Sequence, residues 1–520
     1  MSRIAFCVLV VAAACAPATK TAAPSAPAPH PVVAKQPVQP KPAPAVASVP
    51  WSRSGTDWNT PPGPGPAPVF HIPEAKSFRL SNRLRVVVVP NRRLPIVSMQ
   101  LVSDTAGSRY ERKAYAGLAA FTADMLDEGA GNRDALGLSK QLERLGAQLW
   151  ISAGEDNVTI GVTSLSSTLD QTLALLTDVV SKPKLTGKDF KRIKGDRLSA
   201  IRRRRDSPRR VAGLLYSRVL WGNAAYGRPI SGFAATVKRI RLGNVRQFYR
   251  RHYAPAHMTL VVAGDVEPAD LSRRLNRTLG RWRKRVATPR AAKRSAPVKT
   301  PPHLVVCNKP DAAQSVVRIG RISIRRKDPR YFAATVVNAA LGGSFAARLM
   351  QRLREQLGYT YGARSSFWFG HHTGMWTVRT AIKTANTVDG IREALKLIDG
   401  VRASDLPAVE LQRTKHRLIR GLPQSFDTNG SLVSVFAGLL EHNLPLSWYD
   451  GYANHIRAVT AAQARAFATA EWARGDLVIT VVGDLKKVLP GLLSLGLGPA
   501  LELDPEGKVL RTHPATDLHK

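Results

Sequence analysis

The stretch Gly117-Leu-Ala-Ala-Phe-Thr-Ala-Asp-Met-Leu126 decides the fold of this 520-residue chain. Large apolar side chains recur at Leu118, Phe121 and Met125, and small residues fill the places between them. This spacing predicts an amphipathic helix with one face packed on a core. Taken alone, the stretch favours an ordinary structural helix, so its meaning depends on the sequence around it.

The flanking sequence makes the interpretation more specific. Two apolar runs and a glycine turn precede the stretch, and an acidic segment follows it, at residues 78–90, 95–102, 107–111 and 127–130. This succession resembles the opening of the insulinase and pitrilysin family of zinc metallopeptidases, which includes the mitochondrial processing peptidase subunits. The resemblance implies a pair of strands followed by the helix that carries the family's zinc motif.

The chain lacks that zinc motif. In the motif His-x-x-Glu-His, two histidines four residues apart bind zinc from one face of a helix, and the glutamate acts as general base. The corresponding places here hold Ala120, Ala123 and Asp124. Catalytic zinc needs three protein ligands, and one remaining carboxylate does not supply them. The motif residues therefore predict a peptidase homologue that is inactive on its own.

The third zinc ligand is also missing. The resemblance places it as a glutamate on a later helix, shortly before a turn similar to Asp206-Ser-Pro208. Aligning that turn puts the ligand place at Ser199 or Ala200. Neither side chain binds zinc as a carboxylate would, so we expect no metal cofactor in this chain and zinc only in a partner subunit.

The second half of the chain keeps a feature that the resemblance assigns to substrate binding. Residues 341–362 resemble the family's C-terminal signature, in which an arginine and a tyrosine seven residues later face the zinc across a cleft; Arg354 and Tyr361 hold those places. A tyrosine hydroxyl can stabilise a developing oxyanion, and an arginine can hold peptide carbonyls or a carboxylate. The alternative is a surface Arg-Glu pair on a helix, followed by a strand tyrosine in the core.

An internal duplication predicts two domains. The apolar run that ends at Gly264-Asp265 reappears as the run that ends at Gly483-Asp484, a shift of 219 residues. A period this long indicates duplicated domains. Helices segregated against a mixed sheet imply an α+β arrangement in each copy, and the resemblance implies two tandem homologous domains that form a half-clamshell. We expect these domains at 73–296 and 297–515, joined by an exposed linker at 284–302.

The N-terminal segment reads as a targeting signal and a tether. A basic start and eleven apolar residues lead to Ala12-Ala-Ala-Cys15, which resembles a bacterial lipoprotein signal with Cys15 as the lipidated residue. An ordinary secretory peptide cleaved after a nearby alanine is the alternative. Residues 16–72 are rich in proline and alanine and predict a disordered tether. We therefore expect lipid anchoring at the outer membrane, facing the periplasm.

The net charge of +40 leaves several partners open in principle. The densest basic run, residues 202–210, resembles no nucleic-acid recognition motif and contains no interleaved aromatic residue, so we expect no specific nucleic-acid partner. Solvated helix faces are the favoured interpretation of the excess charge. His371-His372 reads as a solvent-facing turn, and Glu441-His442 lacks the leading histidine of a zinc motif because Gly438 holds that place.

Three functions remain open from the sequence. The first is a non-catalytic subunit that supplies the arginine and tyrosine to a partner peptidase carrying zinc, with a peptide or unfolded polypeptide as substrate. The second is a stand-alone protein that holds peptides without cutting them. The third is an active peptidase with an unrecognised metal site, and the loss of the motif groups disfavours it.

Overall fold

The structure is a computed structural model that describes residues 70–284, 289 and 296–515. The expected signal segment with Cys15 and nearly all of the expected tether lie outside these residues. So do positions 285–288 and 290–295 of the expected linker, while the described positions 296–300 are exposed. Within the described residues, no helix is both long enough and apolar enough to cross a membrane.

The first half of the molecule, residues 70–284, is built on a six-stranded sheet and a short separate ribbon. Its strands are β1 (Lys76–Arg79), β2 (Arg85–Pro90), β3 (Ile96–Ser103), β4 (Gly129–Ala130), β5 (Arg133–Asp134), β6 (Gln148–Ala153), β7 (Val158–Leu165) and β8 (Met258–Gly264). β4 and β5 pair with each other, and the large sheet has the order β1-β2-β8-β3-β7-β6. β2 is parallel to β8, and the other neighbours are antiparallel.

The α-helices of the first half include the predicted motif helix. They are α1 (Leu118–Asp124), α2 (Ala135–Arg144), α3 (Leu169–Ser181), α4 (Gly187–Arg205), α5 (Pro208–Trp221), α6 (Ala234–Arg239), α7 (Leu242–His252) and α8 (Pro268–Arg277). Leu118, Phe121 and Met125 are all buried in the core of this half, as their spacing predicts.

The second half, residues 296–515, repeats the design with a seven-stranded sheet. Its strands are β9 (Leu304–Asn308), β10 (Gln314–Ser323), β11 (Thr360–Phe369), β12 (Gly374–Lys383), β13 (Val478–Gly483), β14 (Ala500–Leu503) and β15 (Val509–His513). The order is β11-β12-β10-β13-β9-β14-β15, and β9 is parallel to both β13 and β14. Its buried runs at β9 and β13 are almost entirely apolar, as strands covered on both faces require.

Helices of the second half pack on this sheet and on one another. They are α9 (Tyr331–Leu341), α10 (Arg348–Met350), α11 (Thr387–Ala403), α12 (Ala408–Gly421), α13 (Asn429–Glu441), α14 (Tyr452–Ala458), α15 (Ala461–Glu471) and α16 (Leu485–Leu493). A π-helical turn at Gln351–Gln356 continues α10 and carries Arg354. Such turns are frequent at functional sites.

The two sheets have the same strand order over five strands. The run β2-β8-β3-β7-β6 of the first half corresponds to β9-β13-β10-β12-β11 of the second. The repeated Gly-Asp ends fall at the close of β8 and β13, which occupy equivalent places. The α+β fold predicted from the duplication is therefore confirmed.

Each half also supplies a helix that covers the other half's sheet. α5 of the first half packs on β10 and β13, and the Tyr216 hydroxyl donates to the backbone carbonyl of Trp376 at 2.9 Å. α13 of the second half packs on β3 and β8, where Phe436 is 1% exposed. Because these apolar contacts cross between the halves, the relative placement of the two sheets is fixed by two separate cores.

Candidate functional site

The motif helix α1 begins at a specialised turn. Gly117 has φ of 101°, a conformation that glycine adopts without the penalty a side chain brings. The Glu111 carboxylate accepts hydrogen bonds from the backbone N–H groups of Gly117 at 3.0 Å and Ala119 at 2.9 Å. Burial raises the pKa of Glu111 to about 7, although these N–H groups act in the opposite direction. The turn and the hydrogen bonds that position the start of α1 are therefore present, although α1 lacks the metal-ligand side chains of the motif.

The three motif places lie where the sequence predicts, on α1; packing closes the two alanine places, while the Asp124 side chain is 46% exposed. Ala120 and Ala123 are buried, and a methyl group offers no electron pair to a metal. Asp124 forms an ion pair with Arg197 of α4, which is buried, and the Arg197 guanidinium also lies 5.5 Å from the centre of the Phe121 ring. The protein thus places its own cation beside the motif helix.

The sequence analysis did not single out Arg197. Ser199 and Ala200, the expected third-ligand places, are half-buried on the same helix, and the Ser199 hydroxyl accepts a hydrogen bond from Arg202 at 3.0 Å. The buried face of α4 is formed by Ile193, Arg197, Ile201 and Arg204. That spacing of three and four residues is the signal that could have identified Arg197 as an inward-facing residue.

The basic run at residues 202–210, which begins in the last turn of α4, is only partly a solvated face, and this corrects the expectation from charge alone. Arg204 is buried, and its Nη1 donates to the Ser231 hydroxyl at 2.8 Å and to the Gly232 carbonyl at 3.0 Å. Arginine suits this role because its fork can reach several acceptors at once. Part of the positive charge is therefore structural.

Arg354 and Tyr361 lie together on an open surface of the second half. Tyr361 is 83% exposed, and the Arg354 guanidinium lies 4.7 Å from the centre of its ring and 5.0 Å from that of Phe345. The Nε of Arg354 is 3.1 Å from a Glu355 carboxylate oxygen. The Arg-Glu pair of the alternative interpretation is present, but its core tyrosine is not. The aromatic contact holds the two side chains together.

A cavity of about 440 Å³ adjoins this pair. Arg354, Tyr361 and the strands β10, β11 and β12 line one side, and Arg209 of the first half contributes from the start of α5. The cavity is thus shaped by both halves of the molecule. Its volume is in the range of pockets that bind small molecules or peptide side chains.

A second polar group joins the two pairs that the sequence analysis set aside. Among the described residues, Asp156, His371 and Glu441 each place one potential metal-ligand atom within 4.8 Å of the other two. Asp156 accepts hydrogen bonds from Arg109 at 2.9 Å, from the Tyr226 hydroxyl at 2.9 Å and from the His371 backbone N–H at 3.1 Å. His371 is therefore half-buried against acidic company, and the expectation of a solvent-facing turn was wrong for this residue.

This group lies where the two halves meet. Burial raises the pKa of Glu441 to about 7, and the nearby carboxylates Asp156, Asp104 and Glu155 act in the same direction. Burial likewise lowers the pKa of His371. Because Asp156 already accepts bonds from a guanidinium and a hydroxyl on both of its oxygens, the arrangement serves first as a junction between the halves.

Together, the fold and the site define a class: a two-domain α+β protein whose motif helix α1 lacks the ligand side chains of a zinc site and whose Arg354 and Tyr361 lie on an open surface. Sequence comparison agrees with this class. Residues 85–232 match the family described as insulinase (peptidase family M16), and residues 239–418 match the peptidase M16 inactive domain. The chain belongs to the insulinase family and is an inactive peptidase-like homologue within it.

Individual relatives support the assignment. An uncharacterized zinc protease of Streptomyces coelicolor is 25% identical over 391 residues, which is 73% of this chain and 83% of the relative. The non-peptidase homolog YmxG of Helicobacter pylori is 22% identical over 408 residues, which is 78% of this chain and 93% of that one. The chain is thus similar both to a relative named as a zinc protease and to one named as a non-peptidase homolog, as expected for a chain that has the family's fold but lacks the zinc motif.

Solved structures share the fold. A peptidase M16 inactive domain from Pseudomonas fluorescens superposes with a TM-score of 0.72 at 24% identity, covering 79% of this chain and 98% of that one. A protease from Helicobacter pylori gives a TM-score of 0.72 at 18% identity, covering 79% and 100%. The architecture described above is therefore that of the family.

Proposed function

We propose that this chain is the non-catalytic, substrate-binding subunit of a zinc metallopeptidase heterocomplex. A companion of the same family would carry the intact His-x-x-Glu-His motif and the zinc. This chain would supply Arg354 and Tyr361 to the shared active site, with a peptide or unfolded polypeptide as substrate.

One observation carries this proposal: the opposite exposure of the two half-sites. Tyr361 is 83% exposed, whereas Ala120 and Ala123 are buried and Asp124 is paired with Arg197. A large exposed aromatic residue stacked by an arginine is typical of a binding surface. A core-packing role would have buried the ring instead.

The chemistry of the pair suits transition-state binding. Zinc in the companion would polarise the scissile carbonyl and activate water when bound there. The Tyr361 hydroxyl can donate a hydrogen bond to the oxyanion as negative charge develops on it. The Arg354 guanidinium, already held by the Tyr361 and Phe345 rings, can bind peptide carbonyls without first losing much side-chain freedom.

The location is a further part of the proposal. The Ala12-Ala-Ala-Cys15 sequence supports lipidation of Cys15, and the proline-rich segment after it supports a tether to the outer membrane. Labelling with a fatty-acid analogue should mark the chain, and Cys15→Ser should abolish the label. Soluble periplasmic wild-type protein without label would contradict the anchor and favour a simple secretory signal.

A stand-alone peptide-binding protein is the second candidate, because the exposed Arg354 and Tyr361 surface and its cavity can hold a peptide without a metal. Mixing separates the two candidates. For a shared active site, this chain and a motif-bearing companion together should cleave a peptide well above the sum of the separate activities. Full activity in the companion alone, with unchanged turnover on mixing, would leave peptide holding as the function.

A further inference from the structure

The cavity beside Tyr361 carries an unusual charge. Five of its lining residues are arginines and none is acidic: Arg209, Arg318, Arg354, Arg364 and Arg379. Among the described carboxylates, only Glu355 forms an ion pair with any of the five, and its partner is Arg354. The other four guanidinium groups leave a concentration of positive charge that the protein does not neutralise.

Three of these arginines form a row across neighbouring strands. Arg318 of β10 lies directly opposite Arg379 of β12, and Arg379 lies directly opposite Arg364 of β11. Like charges at directly opposite positions destabilise a sheet. The one hydrogen bond found for the guanidinium of Arg379 goes to a neutral partner, the Ser366 hydroxyl at 2.8 Å. The row therefore costs stability in the free protein.

Arg318, at one end of the row, is built into the fold. The Nε of Arg318 is buried and has no hydrogen-bond partner. Above it, α5 carries Gly213, where an added Cβ would lie 3.0 Å from Arg318 Nη2. Glycine inside a helix costs about 1 kcal/mol relative to alanine. Burial lowers the pKa of Arg318, and the neighbouring Arg379 charge adds to this effect. A half-buried guanidinium whose buried Nε has no hydrogen-bond partner, under a helical glycine, indicates a site for an anionic group.

We propose that this cavity binds an acidic segment of the polypeptide substrate, in which two aspartate or glutamate side chains lie within about three residues. Strands are about 4.8 Å apart, so the row spans roughly 10 Å, and an extended peptide advances about 3.3 Å per residue. Side chains two residues apart share one face of an extended peptide and lie about 7 Å apart, so two such carboxylates can reach two arginines of the row. Arginine forks pair with carboxylates through two parallel hydrogen bonds.

The polypeptide class of the ligand rests on the proposed function, while the requirement for carboxylates rests on the row itself. Arg354 lines this cavity and also stacks on Tyr361, so an acidic segment in the cavity would lead directly to the proposed peptide-binding pair. The cavity is thereby a specificity subsite: it selects substrates with closely spaced negative charges next to the bond that the companion cleaves.

Direct peptide binding tests this inference without the companion. Fluorescence anisotropy of the purified chain would compare a labelled, C-terminally amidated peptide containing Asp-Ala-Glu with the same peptide containing Asn-Ala-Gln. The acidic peptide should bind about tenfold or more tightly. Its affinity should fall as salt is added, because exposed parts of the contact are screened.

Variants locate the effect. Arg379→Gln and Arg318→Gln should each remove most of the acidic preference and leave the neutral peptide unchanged. Both should keep or raise the melting temperature, because each removes a like-charge contact. Arg277→Gln is the matched control, since it removes the same charge from an exposed position on α8 and should leave both affinities unchanged.

Several results would overturn the inference. These are equal affinity for the two peptides, equal loss in Arg277→Gln, or equal binding of a neutral peptide with a free C-terminal carboxylate. Equal competition by an oligonucleotide of the same charge would indicate a general polyanion surface instead. A chain that prefers acidic peptides yet gives no activity with the companion would retain this inference and lose the shared active site. Activity with the companion but no preference for acidic peptides would retain the shared active site and overturn this inference.

Discussion

The motif helix α1 and the Arg354 and Tyr361 surface differ in what has happened to their functional groups. Around α1, alanines hold two of the motif places and Arg197 pairs with Asp124, so the charged motif side chain has a partner within the protein. Around Tyr361, the ring is 83% exposed, and four of the five arginines of the adjoining cavity have no carboxylate partner among the described residues. The charge at α1 is therefore paired within the protein, whereas most of the charge beside Tyr361 is not.

The structure keeps the contacts that position α1 although the ligand side chains of the motif are absent. The guanidinium of Arg197, fixed on α4, pairs with Asp124 at one of the motif places. The Glu111 carboxylate accepts hydrogen bonds at the start of α1. Packing and these hydrogen bonds hold α1 in its place in the fold.

The largest expected effect concerns zinc. The purified chain should hold far less than one zinc per molecule, because at most one motif ligand remains. Ala120→His, Ala123→Glu and Asp124→His, combined with Ala200→Glu, restore the motif groups. We expect these four changes to restore zinc poorly while Arg197 is present, and to approach one zinc per chain once Arg197→Ala is added, because its cation competes with the metal. Elemental analysis after mild chelation measures both.

Zinc near one per wild-type chain that survives chelation would contradict this comparison. His371→Ala would then show whether the metal lies in the group at the junction of the halves. Peptidase activity should lag behind metal binding in the rebuilt variant, because the residues that orient zinc ligands are not restored with them.

The next effect is on stability. Asp124→Ala should lower the free energy of unfolding by roughly 1–3 kcal/mol, because it leaves the buried Arg197 without its partner. Asp196→Ala is the matched control on α4, since Asp196 is 68% exposed and pairs only with Arg192, and it should change stability by less than about 0.5 kcal/mol. Urea denaturation compares them. Equal losses of stability in the two variants would mean that the Asp124–Arg197 ion pair contributes no more than an exposed ion pair.

A smaller effect concerns pH and the junction of the halves. The pKa of Glu441 is raised to about 7 from its ordinary 4.5. Its contribution to stability is therefore fully present below pH 4.5 and is lost as pH rises through about 7. Relative to Glu441→Gln, the wild type should lose on the order of 1–3 kcal/mol between these limits. Parallel pH profiles for the two proteins would contradict the buried junction.

The sequence was sufficient for the α+β fold and for the position of the motif helix. The duplication at Gly264-Asp265 and Gly483-Asp484 predicted two similar sheets, because a repeated strand and turn must pack in the same way twice. The spacing of Leu118, Phe121 and Met125 predicted the buried face of α1. These are local patterns, and local patterns are what a single sequence reports well.

The parts that the sequence did not reveal depend on contacts between distant residues. Arg197 meets Asp124 across two helices, and Asp156 meets His371 across 215 positions. The row of Arg318, Arg379 and Arg364 depends on strand register, which the sequence alone left open. Arg197 and Asp156 are buried charges, and charge in a sequence is first interpreted as solvent exposure.

The most direct test of the shared active site is the turnover of the mixed complex with Tyr361→Phe. Losing one oxyanion donor should raise the activation barrier by roughly 2–4 kcal/mol, while Arg354→Ala should act more on KM. Tyr359→Phe, two residues away, is the matched control and should leave kcat unchanged. A fall in kcat confined to Tyr361→Phe is the result expected here; a mixed complex whose kcat is indifferent to Tyr361→Phe would contradict the shared active site.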